Sequence, residues 1–396
     1  MIIDQFGISI TTSLPRRLRL PVWACKEMDR VKTKAAVAFG VGRPMEIVEL
    51  DLRDPEPDEV LIRLHSTGVC HSDLSVLDGA VDFGGFPVVL GHEGSGVIEK
   101  VGSMVTSLAP GDHVITTVMP QCGRCSECLS GRSNLCQDMY RGFVGQNSPF
   151  YLDGKQIRRF VNSGTFTERT VVIESSVAKI PDDAPFDRAC LAACGVATGV
   201  GAAIEAADIR PGSTVAVFGM GGIGLSAVQG ARFAGASRII AVDTNPAKEA
   251  VARKSGATDF INPANVNGGV GDHITTLTNG GADIVVEAVG HPEVARQAMR
   301  STRNGSGECV MVGMMRDGAE ITLDKSDIGI GRSFKMSSGG DFKGRYGAAK
   351  LVDWYMQGKL DFDTLINDHY PLERINEAMD ALRQGKVVRN IIDLQS

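Results

Sequence analysis

The sequence lacks any excess of positive charge. It carries 41 lysines and arginines against 47 aspartates and glutamates, which gives a formal net charge of −6. Nucleic acids and anionic membranes bind proteins through clustered lysine and arginine side chains. The charge balance therefore predicts that neither a nucleic acid nor a membrane surface is a partner.

Long apolar runs are also missing. No stretch approaches the roughly 18 consecutive apolar residues that a membrane-spanning helix needs. The first residues contain three arginines but no apolar segment followed by a small-residue cleavage site, so they do not resemble a signal peptide. We expect residues 1–31 to form an N-terminal extension, with Met28 as an alternative start just before the first strand pattern.

Internal repeats and low-complexity tracts are absent too. Short strands with glycine and proline turns between them dominate from Lys34 to about residue 195, which predicts a strand-rich, partly barrel-like unit. From Thr198 onward short apolar strands alternate with amphipathic helices, which predicts an α/β unit with a doubly wound parallel sheet. Two further helices and a closing strand complete the chain.

Four of the nine cysteines crowd into 15 residues with the spacing C-x2-C-x2-C-x7-C; they are Cys122, Cys125, Cys128 and Cys136. Tetrahedral zinc takes four thiolates at about 2.3 Å, and a tight loop can supply them. Disulfides are the alternative, but clustered cysteines in a long chain with an enzyme pattern more often hold metal. We therefore predict a closed structural zinc site and, from this use of cysteine, a reducing compartment, the cytoplasm.

A second, discontinuous set of metal-type residues flanks this cluster, namely Cys70, His92 and Cys194. Two thiolates and one imidazole leave a fourth position of a tetrahedral zinc open, as catalytic sites require. One closed site together with one three-ligand site predicts a zinc enzyme.

A dinucleotide fingerprint, G-x-G-x-x-G, occurs at Gly219, Gly221 and Gly224, after the strand TVAVF and at the start of a helix that includes Gly222 and Ile223. The glycines permit a tight turn and a close approach of backbone N–H groups to a pyrophosphate at the helix N-terminus. This order of elements predicts a bound dinucleotide.

Asp243 ends the next strand, 19 residues after Gly224, where an acid accepts hydrogen bonds from ribose hydroxyls. A carboxylate there repels the additional phosphate of NADP, and no arginine follows immediately. The sequence therefore favours NAD. Lys248 is a candidate for the adenosine ribose, with a solvated helix charge as the alternative.

Four motifs now occur in one order: GVCHSD at 68–73, GHE at 91–93, the four-cysteine lobe, and CGVATG at 194–199 before the fingerprint. From about residue 32 to 394 the chain resembles the zinc-dependent medium-chain alcohol dehydrogenases. The resemblance implies a β-rich, GroES-like catalytic domain formed by residues 32–196, with the zinc lobe at about 119–137, and by residues 339–396. It also implies that a Rossmann-type NAD domain, residues 197–338, is inserted between the two parts.

The resemblance also implies roles for individual residues. Cys70, His92 and Cys194 would hold the catalytic zinc, and Ser72 would take the substrate proton. Asp73 would orient His92, and Glu93 would lie close enough to approach the metal. A capped turn is the alternative for Ser72 and Asp73, and a structural salt bridge is the alternative for Glu93. The residues that match cofactor contacts of the family are His71, Thr198 and Arg389. The residues that match apolar substrate contacts are Val118, Phe160, Val161 and Met314.

The predicted function is reversible hydride transfer between a primary alcohol, medium-chain or aromatic, and NAD, with two zinc ions per chain. An enzyme that retains NAD and uses an external acceptor is one alternative, and a zinc-stapled binding protein is another. A glutathione-dependent formaldehyde dehydrogenase is a third, although its acidic pair would fall near Val81 and Phe83 and its arginine at Tyr140. The long 137–166 segment favours a homodimer.

Overall fold

The computed structural model describes residues 31–139 and 147–395. All but the last residue of the predicted N-terminal extension therefore lies outside the described residues. The strands are β1 (Val31–Ala38), β2 (Glu46–Leu52), β3 (Glu59–Gly68), β4 (Val88–Val89), β5 (Glu93–Val101), β6 (His113–Thr116), β7 (Phe150–Leu152), β8 (Lys155–Arg159), β9 (Arg169–Ile173), β10 (Val177–Lys179), β11 (Thr214–Phe218), β12 (Arg238–Val242), β13 (Asp259–Ile261), β14 (Ile284–Glu287), β15 (Glu308–Met311), β16 (Ser333–Met336), β17 (Ile366–Pro371) and β18 (Arg389–Asp393).

Helices are concentrated in the second half of the chain. The α-helices are His71–Leu77, Ser126–Leu129, Phe186–Ala189, Gly195–Gly201, Gly222–Phe233, Glu249–Ser255, Val270–Leu277, Pro292–Arg300, Lys325–Ile328, Gly344–Met356 and Ile375–Arg383. Within the described ranges no single helix is long and apolar enough to cross a membrane. One pair, Phe186–Ala193 with Gly195–Ala206, meets the length and composition criteria together, with a bend of 55° between its halves.

The first unit is built mainly from antiparallel strands, with parallel pairing only of β4 with β8 and of β17 with β18 among the described strands. Strands β1, β2, β7, β8 and β4 close a small barrel, and a second sheet runs β10-β6-β5-β3-β18-β17, with β9 also paired to β3. Strand β18 lies near the end of the chain yet pairs with β3, with Ile391 opposite Gly68. The last segment of the chain thus completes the sheet that the first segment began.

The second unit is a six-stranded parallel sheet in the order β13-β12-β11-β14-β15-β16, and its strands fall within the segment 197–338. Strand β11 is buried through Val215–Phe218, because helices cover both faces of a parallel sheet. The strand order reverses beside β11, and ligands bind doubly wound sheets at such switch points, outside the carboxyl ends of the strands. The predicted fold class is confirmed.

The two units share one apolar core. A single cluster of buried side chains includes Ile115 of β6, Val217 of β11 and Leu351 of the Gly344–Met356 helix. Burial of apolar surface is the main favourable term in folding, so this shared cluster holds the units together. The carboxyl ends of the parallel strands are thereby held beside the antiparallel sheet.

A buried ionic cluster anchors the end of β8. Glu59 accepts hydrogen bonds from Arg53 at 2.5 and 3.0 Å, and Arg159 lies 3.9 Å away on the other side. Burial lowers the pKa of Arg159 to about 10, against the opposing charge of Glu59. The Arg159 guanidinium also donates to the carbonyl of Val171. The residue after Arg159 is Phe160, one of the predicted pocket residues.

We predict that Glu59→Ala lowers the free energy of unfolding by about 3–5 kcal/mol, because it leaves two buried guanidinium groups without their shared carboxylate. Chemical denaturation of the purified variant measures the change. The matched control is Glu49→Ala, which removes an exposed partner 3.7 Å from Lys32 and is expected to cost less than about 1 kcal/mol. Equal losses of unfolding free energy in the two variants would contradict a stabilising role for the buried ionic cluster.

Candidate functional site

A cavity of about 500 Å³ lies between the two units and collects most of the predicted site residues. Residues predicted to bind metal, cofactor and apolar substrate all line it, together with Ser72: Cys70, His71, Ser72, His92, Val118, Phe160, Val161, Cys194, Thr198, Gly219, Gly221, Gly222, Ile223, Asp243, Met314 and Arg389. Residues separated by more than 300 positions in the chain therefore face one space.

The register of β3 against β5 brings the first two metal-type residues together. Gly68 lies opposite Glu93, so Cys70, just beyond β3, comes close to His92, just before β5. A side chain at position 68 would overlap the Glu93 carboxylate, and glycine avoids this. Cys194 ends the segment before the Gly195–Gly201 helix and approaches from the other side.

Asp73 sits behind this group and does not line the cavity. One of its carboxylate oxygens accepts from the backbone N–H of Gly91 at 2.8 Å and lies 3.1 Å from His92 Nδ1. The other accepts from the backbone N–H of Cys70 at 3.3 Å. A carboxylate on Nδ1 leaves Nε2 unprotonated for a metal, as in carboxylate–histidine–zinc arrangements.

The donor set fits zinc. One donor atom each from Cys70, His92, Glu93 and Cys194 lies within 4.8 Å of all the others. Glu93 Oε1 accepts from the Gly195 N–H at 3.0 Å, whereas Oε2 is buried and has no hydrogen-bond partner among the described residues. Two sulfurs and an imidazole nitrogen are the ligands of a known class of catalytic zinc site.

The electrostatics of this group favour a thiolate. The neighbouring Cys194 sulfur, together with the charges of Arg389 and His92, holds the pKa of Cys70 well below its ordinary value despite burial. Burial raises the pKa of Glu93 to about 7, against the opposing charge of Arg389. The Cys70 sulfur and burial in turn raise the pKa of Cys194, so this pair holds one thiolate. Metal ligands must be deprotonated, and a bound cation would stabilise the second thiolate as well.

Arg389 is buried, so it is not an exposed charge near the end of the chain. Its Nη2 lies 3.3 Å from Glu93 Oε1 and 3.6 Å from the Cys70 sulfur. The same guanidinium borders Gly222, where an added side chain would meet it at 2.8 Å. Arg389 thus lies between the metal-type residues and the start of the fingerprint helix.

The fingerprint adopts the geometry that its glycines permit. Gly219 has a φ of +90°, a side chain at Gly224 would overlap the Gly219 carbonyl, and Gly221 faces open space. Asp243 accepts from the backbone N–H of Met220 at 2.6 Å and of Asn245 at 2.8 Å. An open helix N-terminus beside a fixed acid fits the pyrophosphate and ribose of a dinucleotide.

A second, largely apolar cavity of about 350 Å³ continues from the first and shares Gly219, Asp243 and Val289 with it. Together they form one groove along the fingerprint. Lys248 does not line either cavity; its Nζ donates to the Val387 carbonyl at 3.2 Å.

Apolar side chains line part of the larger cavity, beside the metal-type residues. The Phe160 ring meets the His92 ring edge-on at 5.4 Å between centroids and the Phe83 ring at 5.2 Å. Ser72 Oγ lies 3.8 Å from the Cys70 sulfur, so a hydroxyl borders the metal-type residues. This arrangement suits an apolar molecule that carries one polar group.

Sequence reasoning missed several lining residues. Val289 and Val312 follow the ends of β14 and β15, so their position at the carboxyl edge of a parallel sheet could have identified them. Met119 and Gly339 also line the cavity, where an added side chain at Gly339 would lie 2.7 Å from the Met119 methyl group. No local sequence pattern could have predicted that Met119 and Gly339 meet, since 220 positions separate the two residues.

The four-cysteine lobe lies outside the cavity. The sulfurs of Cys122 and Cys128 are 4.0 Å apart, and those of Cys125 and Cys136 are 3.9 Å apart. A tetrahedron with bonds of about 2.3 Å has edges of about 3.8 Å, so the spacing fits zinc. Donation from the N–H groups of Gln137 and Cys128 lowers the pKa of Cys125 to about 6. Every cysteine in the described ranges is free.

The four-cysteine lobe is hydrogen-bonded to the loop around Gly339, which lines the cavity. Asn134 Nδ2 donates to the Ser338 carbonyl at 3.4 Å and to Asp341 at 3.2 Å, on either side of Gly339. The closed lobe is therefore placed to support the cavity rather than to take part in it.

Two protein families match the chain. Residues 56–182 match the alcohol dehydrogenase GroES-like domain, and residues 222–354 match the zinc-binding dehydrogenase domain. Among curated proteins, the alcohol dehydrogenase class-3 of Cereibacter sphaeroides is 41% identical over 91% of this chain and 100% of its own length. An S-(hydroxymethyl)glutathione dehydrogenase of Escherichia coli is 42% identical over the same shares.

Solved structures agree with these matches. An alcohol dehydrogenase zinc-binding domain protein from Burkholderia ambifaria superposes with a TM-score of 0.87 at 36% identity, covering 93% of this chain and 100% of its own. The benzyl alcohol dehydrogenase of Acinetobacter calcoaceticus superposes with a TM-score of 0.85 at 33% identity, covering 92% and 99%.

We predict that the purified chain holds two zinc ions and that Cys136→Ser and Cys194→Ser each hold about one, because each change removes a ligand from a different site. Elemental analysis measures the zinc. Thermal unfolding should separate the variants, with the larger drop for Cys136→Ser, because the closed lobe stabilises the fold directly. A wild-type chain with a single zinc, or a Cys194→Ser variant that keeps two, would contradict the two-site assignment.

Proposed function

Since the chain belongs to the zinc-dependent medium-chain alcohol dehydrogenase family, we propose that it interconverts primary medium-chain or aromatic alcohols and their aldehydes. The predicted enzyme class, an NAD-dependent zinc oxidoreductase, follows from this membership. A zinc-stapled binding protein without catalysis is therefore set aside.

One observation supports the proposal above the others. The metal-type residues Cys70, His92 and Cys194 line the same cavity as the fingerprint glycines and a wall of apolar side chains. Hydride transfer needs the alcohol carbon close to the nicotinamide, and positioning of this kind supplies a large part of catalysis. The zinc donor set would hold the alcohol oxygen, the fingerprint would hold the dinucleotide, and the apolar walls would hold the carbon chain or ring of the alcohol.

Zinc, when bound, supplies a Lewis acid that lowers the pKa of a hydroxyl group. In the proposed mechanism Ser72 Oγ accepts the proton that leaves the substrate hydroxyl and releases its own hydroxyl proton toward solvent. Asp73 holds His92 through Nδ1, so that the imidazole keeps its orientation during turnover. Glu93 and Arg389 form a buried ion pair behind the ligands and fix the position of Cys194 through the Gly195 N–H.

Two features support NAD and an apolar substrate. Asp243 lines the groove where an NADP phosphate would lie, and its charge would repel that phosphate. Val118, Phe160, Val161 and Met314 present no charge to the substrate end. Apolar pockets discriminate by only about 1–3 kcal/mol per methylene, so we propose a broad range of apolar alcohols.

A glutathione-dependent activity is the second candidate, and the Escherichia coli relative at 42% identity supports it. The loop near the cavity mouth argues against it. Val81 is buried, and Asp82 directs one carboxylate oxygen to the backbone N–H groups of Gly84 and Gly85. Phe83 is the lining residue of this loop. Tyr140 lies outside the described residues.

We predict that kcat/KM with NAD is at least about 10-fold higher for hexanol and benzyl alcohol than for ethanol, because each adds apolar surface that the cavity can bury. Absorbance at 340 nm measures NADH formation, and NADP in place of NAD is the cofactor control. A preference for ethanol, or for S-(hydroxymethyl)glutathione over benzyl alcohol, would contradict the proposed substrate class. A 340 nm peak retained after desalting would instead favour the alternative in which NAD stays bound.

We also propose a homodimer, which the long 137–166 segment favours. Strand β16 is an edge of the parallel sheet and pairs only with β15 among the strands of the described ranges. Ile330, shortly before this strand, is 86% exposed, and Met336, the last residue of the strand, is 67% exposed. Unpaired edges with apolar side chains are templates for pairing with another chain, and a second copy presents the same edge.

We expect light scattering during size exclusion to give a dimer for the wild-type chain and a monomer for Ile330→Glu/Met336→Glu, because the charges would face each other across the two-fold axis. Met104→Glu, at a position that is exposed elsewhere on the surface, is the control and should stay dimeric. A monomeric wild-type chain would refute the dimer, and a dimeric double variant would refute this interface.

A further inference from the structure

A separate cavity of about 230 Å³ shares no lining residue with the cavity and groove described above. It forms where the carboxyl ends of the helices Gly222–Phe233 and Glu249–Ser255 meet residues 358–361. The two helices belong to the parallel-sheet unit, whereas residues 358–361 belong to the last part of the chain, so we call this cavity the interunit pocket. Pockets for drug-sized ligands begin at roughly 300 Å³, so the interunit pocket fits only a small ligand.

Paired hydrogen bonds fix the shape of the interunit pocket. The Gln229 side chain donates to the Asp361 carbonyl and accepts from the Asp361 N–H, both at 2.8 Å. The Asp361 carboxylate accepts from the Thr364 N–H at 3.0 Å. Leu360, the preceding residue, is buried. The walls of the pocket are therefore held in place before any ligand binds, which lowers the entropic cost of binding.

The charged side chains of the interunit pocket do not balance. Three are cationic, Arg232, Lys254 and Lys359, and one is anionic, Asp361. Lys254 Nζ lies 3.9 Å from the Asp361 carboxylate, whereas neither Arg232 nor Lys359 forms an ion pair with any residue that the structure describes. The stem of Arg232 lies close to Gly256, where an added side chain would meet it at 2.7 Å. The pocket thus keeps two unbalanced positive charges in a chain whose net charge is −6.

Ser255 adds a polar group that lacks a partner. It lines the interunit pocket and is only 3% exposed. Its hydroxyl oxygen is buried and has no hydrogen-bond partner within residues 31–139 and 147–395. Buried polar groups are almost always hydrogen-bonded, so an exception indicates a missing partner. An acceptor oxygen of a ligand in the pocket would be such a partner.

An aromatic ring borders the same pocket. Phe233 is 41% exposed although it is a large apolar residue, and it lines the pocket at the end of its helix. Its ring packs against the ring of Trp354, with 4.6 Å between the centroids and 35° between the planes. The exposed part of an anchored ring can pack against a flat ring of a ligand.

We propose that the interunit pocket is a binding site for a small phosphate monoester that carries a flat ring. Arg232 and Lys359 hold the phosphate, Ser255 donates its hydroxyl proton to a phosphate oxygen, and Phe233 packs against the ring. A phosphate group carries about −1.5 to −2 charges near neutral pH, which matches the excess of two cations, whereas a carboxylate would leave one cation unbalanced. The site shares no residue with the zinc donor set or the fingerprint, so it does not depend on the proposed alcohol substrate.

The binding test is a calorimetric titration of the full, zinc-loaded chain with phenyl phosphate. Saturating NAD is present, so that the fingerprint is already occupied. We expect one saturable site per chain, and we expect Arg232→Gln/Lys359→Gln to weaken it at least about 10-fold, because hydrogen bonds to charged groups are lost.

The matched control is Arg43→Gln/Lys155→Gln, which removes the same charge from two exposed positions outside the pocket and should leave the affinity unchanged. Equal weakening in the two double variants would overturn the site. An absence of saturable binding to the wild-type chain would also overturn it, and would leave the cations as partners of the helix carboxyl ends.

Two further measurements test the ring and the hydroxyl. Inorganic phosphate should bind at least about 3-fold more weakly than phenyl phosphate, because it has no ring to pack against Phe233, and equal affinities would overturn the ring contact. Ser255→Ala should weaken phenyl phosphate at least about 3-fold without lowering the unfolding temperature of the unliganded chain, because the hydroxyl has no partner to lose. Unchanged affinity in that variant would overturn the role of the hydroxyl.

Tryptophan fluorescence locates the bound ligand. The chain has two tryptophans, and in a Trp23→Phe background the emission comes from Trp354 alone. Phenyl phosphate should change this emission over the same concentration range that saturates the calorimetric signal, since the Phe233 ring contacts both the pocket and Trp354. Saturable heat without any change in emission would place the ligand elsewhere and overturn the proposal.

Discussion

The site depends on the antiparallel pairing of β3 with β5 and β18. That register sets Gly68 opposite Glu93 and Ile391 opposite Gly68, so three distant segments end within a few ångströms of one another. Cys70 follows one strand, His92 precedes another, and Arg389 begins the third. Only a residue without a side chain fits between the Glu93 carboxylate and the sheet. The donor set therefore exists only when this part of the sheet is correctly paired.

The charges around this pairing are buried and balance one another. Arg389 faces Glu93 and the Cys70 sulfur, and Asp73 faces His92. Unpaired charges in such surroundings are costly, so Arg389 favours the ionised forms of Glu93 and Cys70. Asp73 fixes the orientation of the His92 ring through Nδ1. One Glu93 oxygen, on the side of Gly68, has no hydrogen-bond partner among the described residues. The same arginine borders the fingerprint helix, so the metal-type residues and the nucleotide groove share one cation.

The sequence predicted those parts of the site that are local or that match a family pattern. The four-cysteine lobe and the fingerprint each lie within a short segment, and their spacing alone indicates their chemistry. Cys70, His92 and Cys194 are far apart in the sequence, where the resemblance assigns them to one zinc, and they lie together in the structure. Val289 and Val312 were missed although their strand ends could have indicated them, and Met119 and Gly339 carry no signal, because their contact forms only between distant loops.

By itself the sequence determined the fold class, the four-cysteine lobe and the preference for NAD, because hydrophobic periodicity, ligand spacing and the position of one acid are properties of neighbouring residues. Tertiary structure alone decided that Arg389 is buried between the two halves of the site, that Lys248 turns to a backbone carbonyl, and that Val161 has a left-handed backbone. Each of these depends on contacts between segments that are far apart in the chain. Only the packed fold sets the burial and backbone angles that such contacts impose.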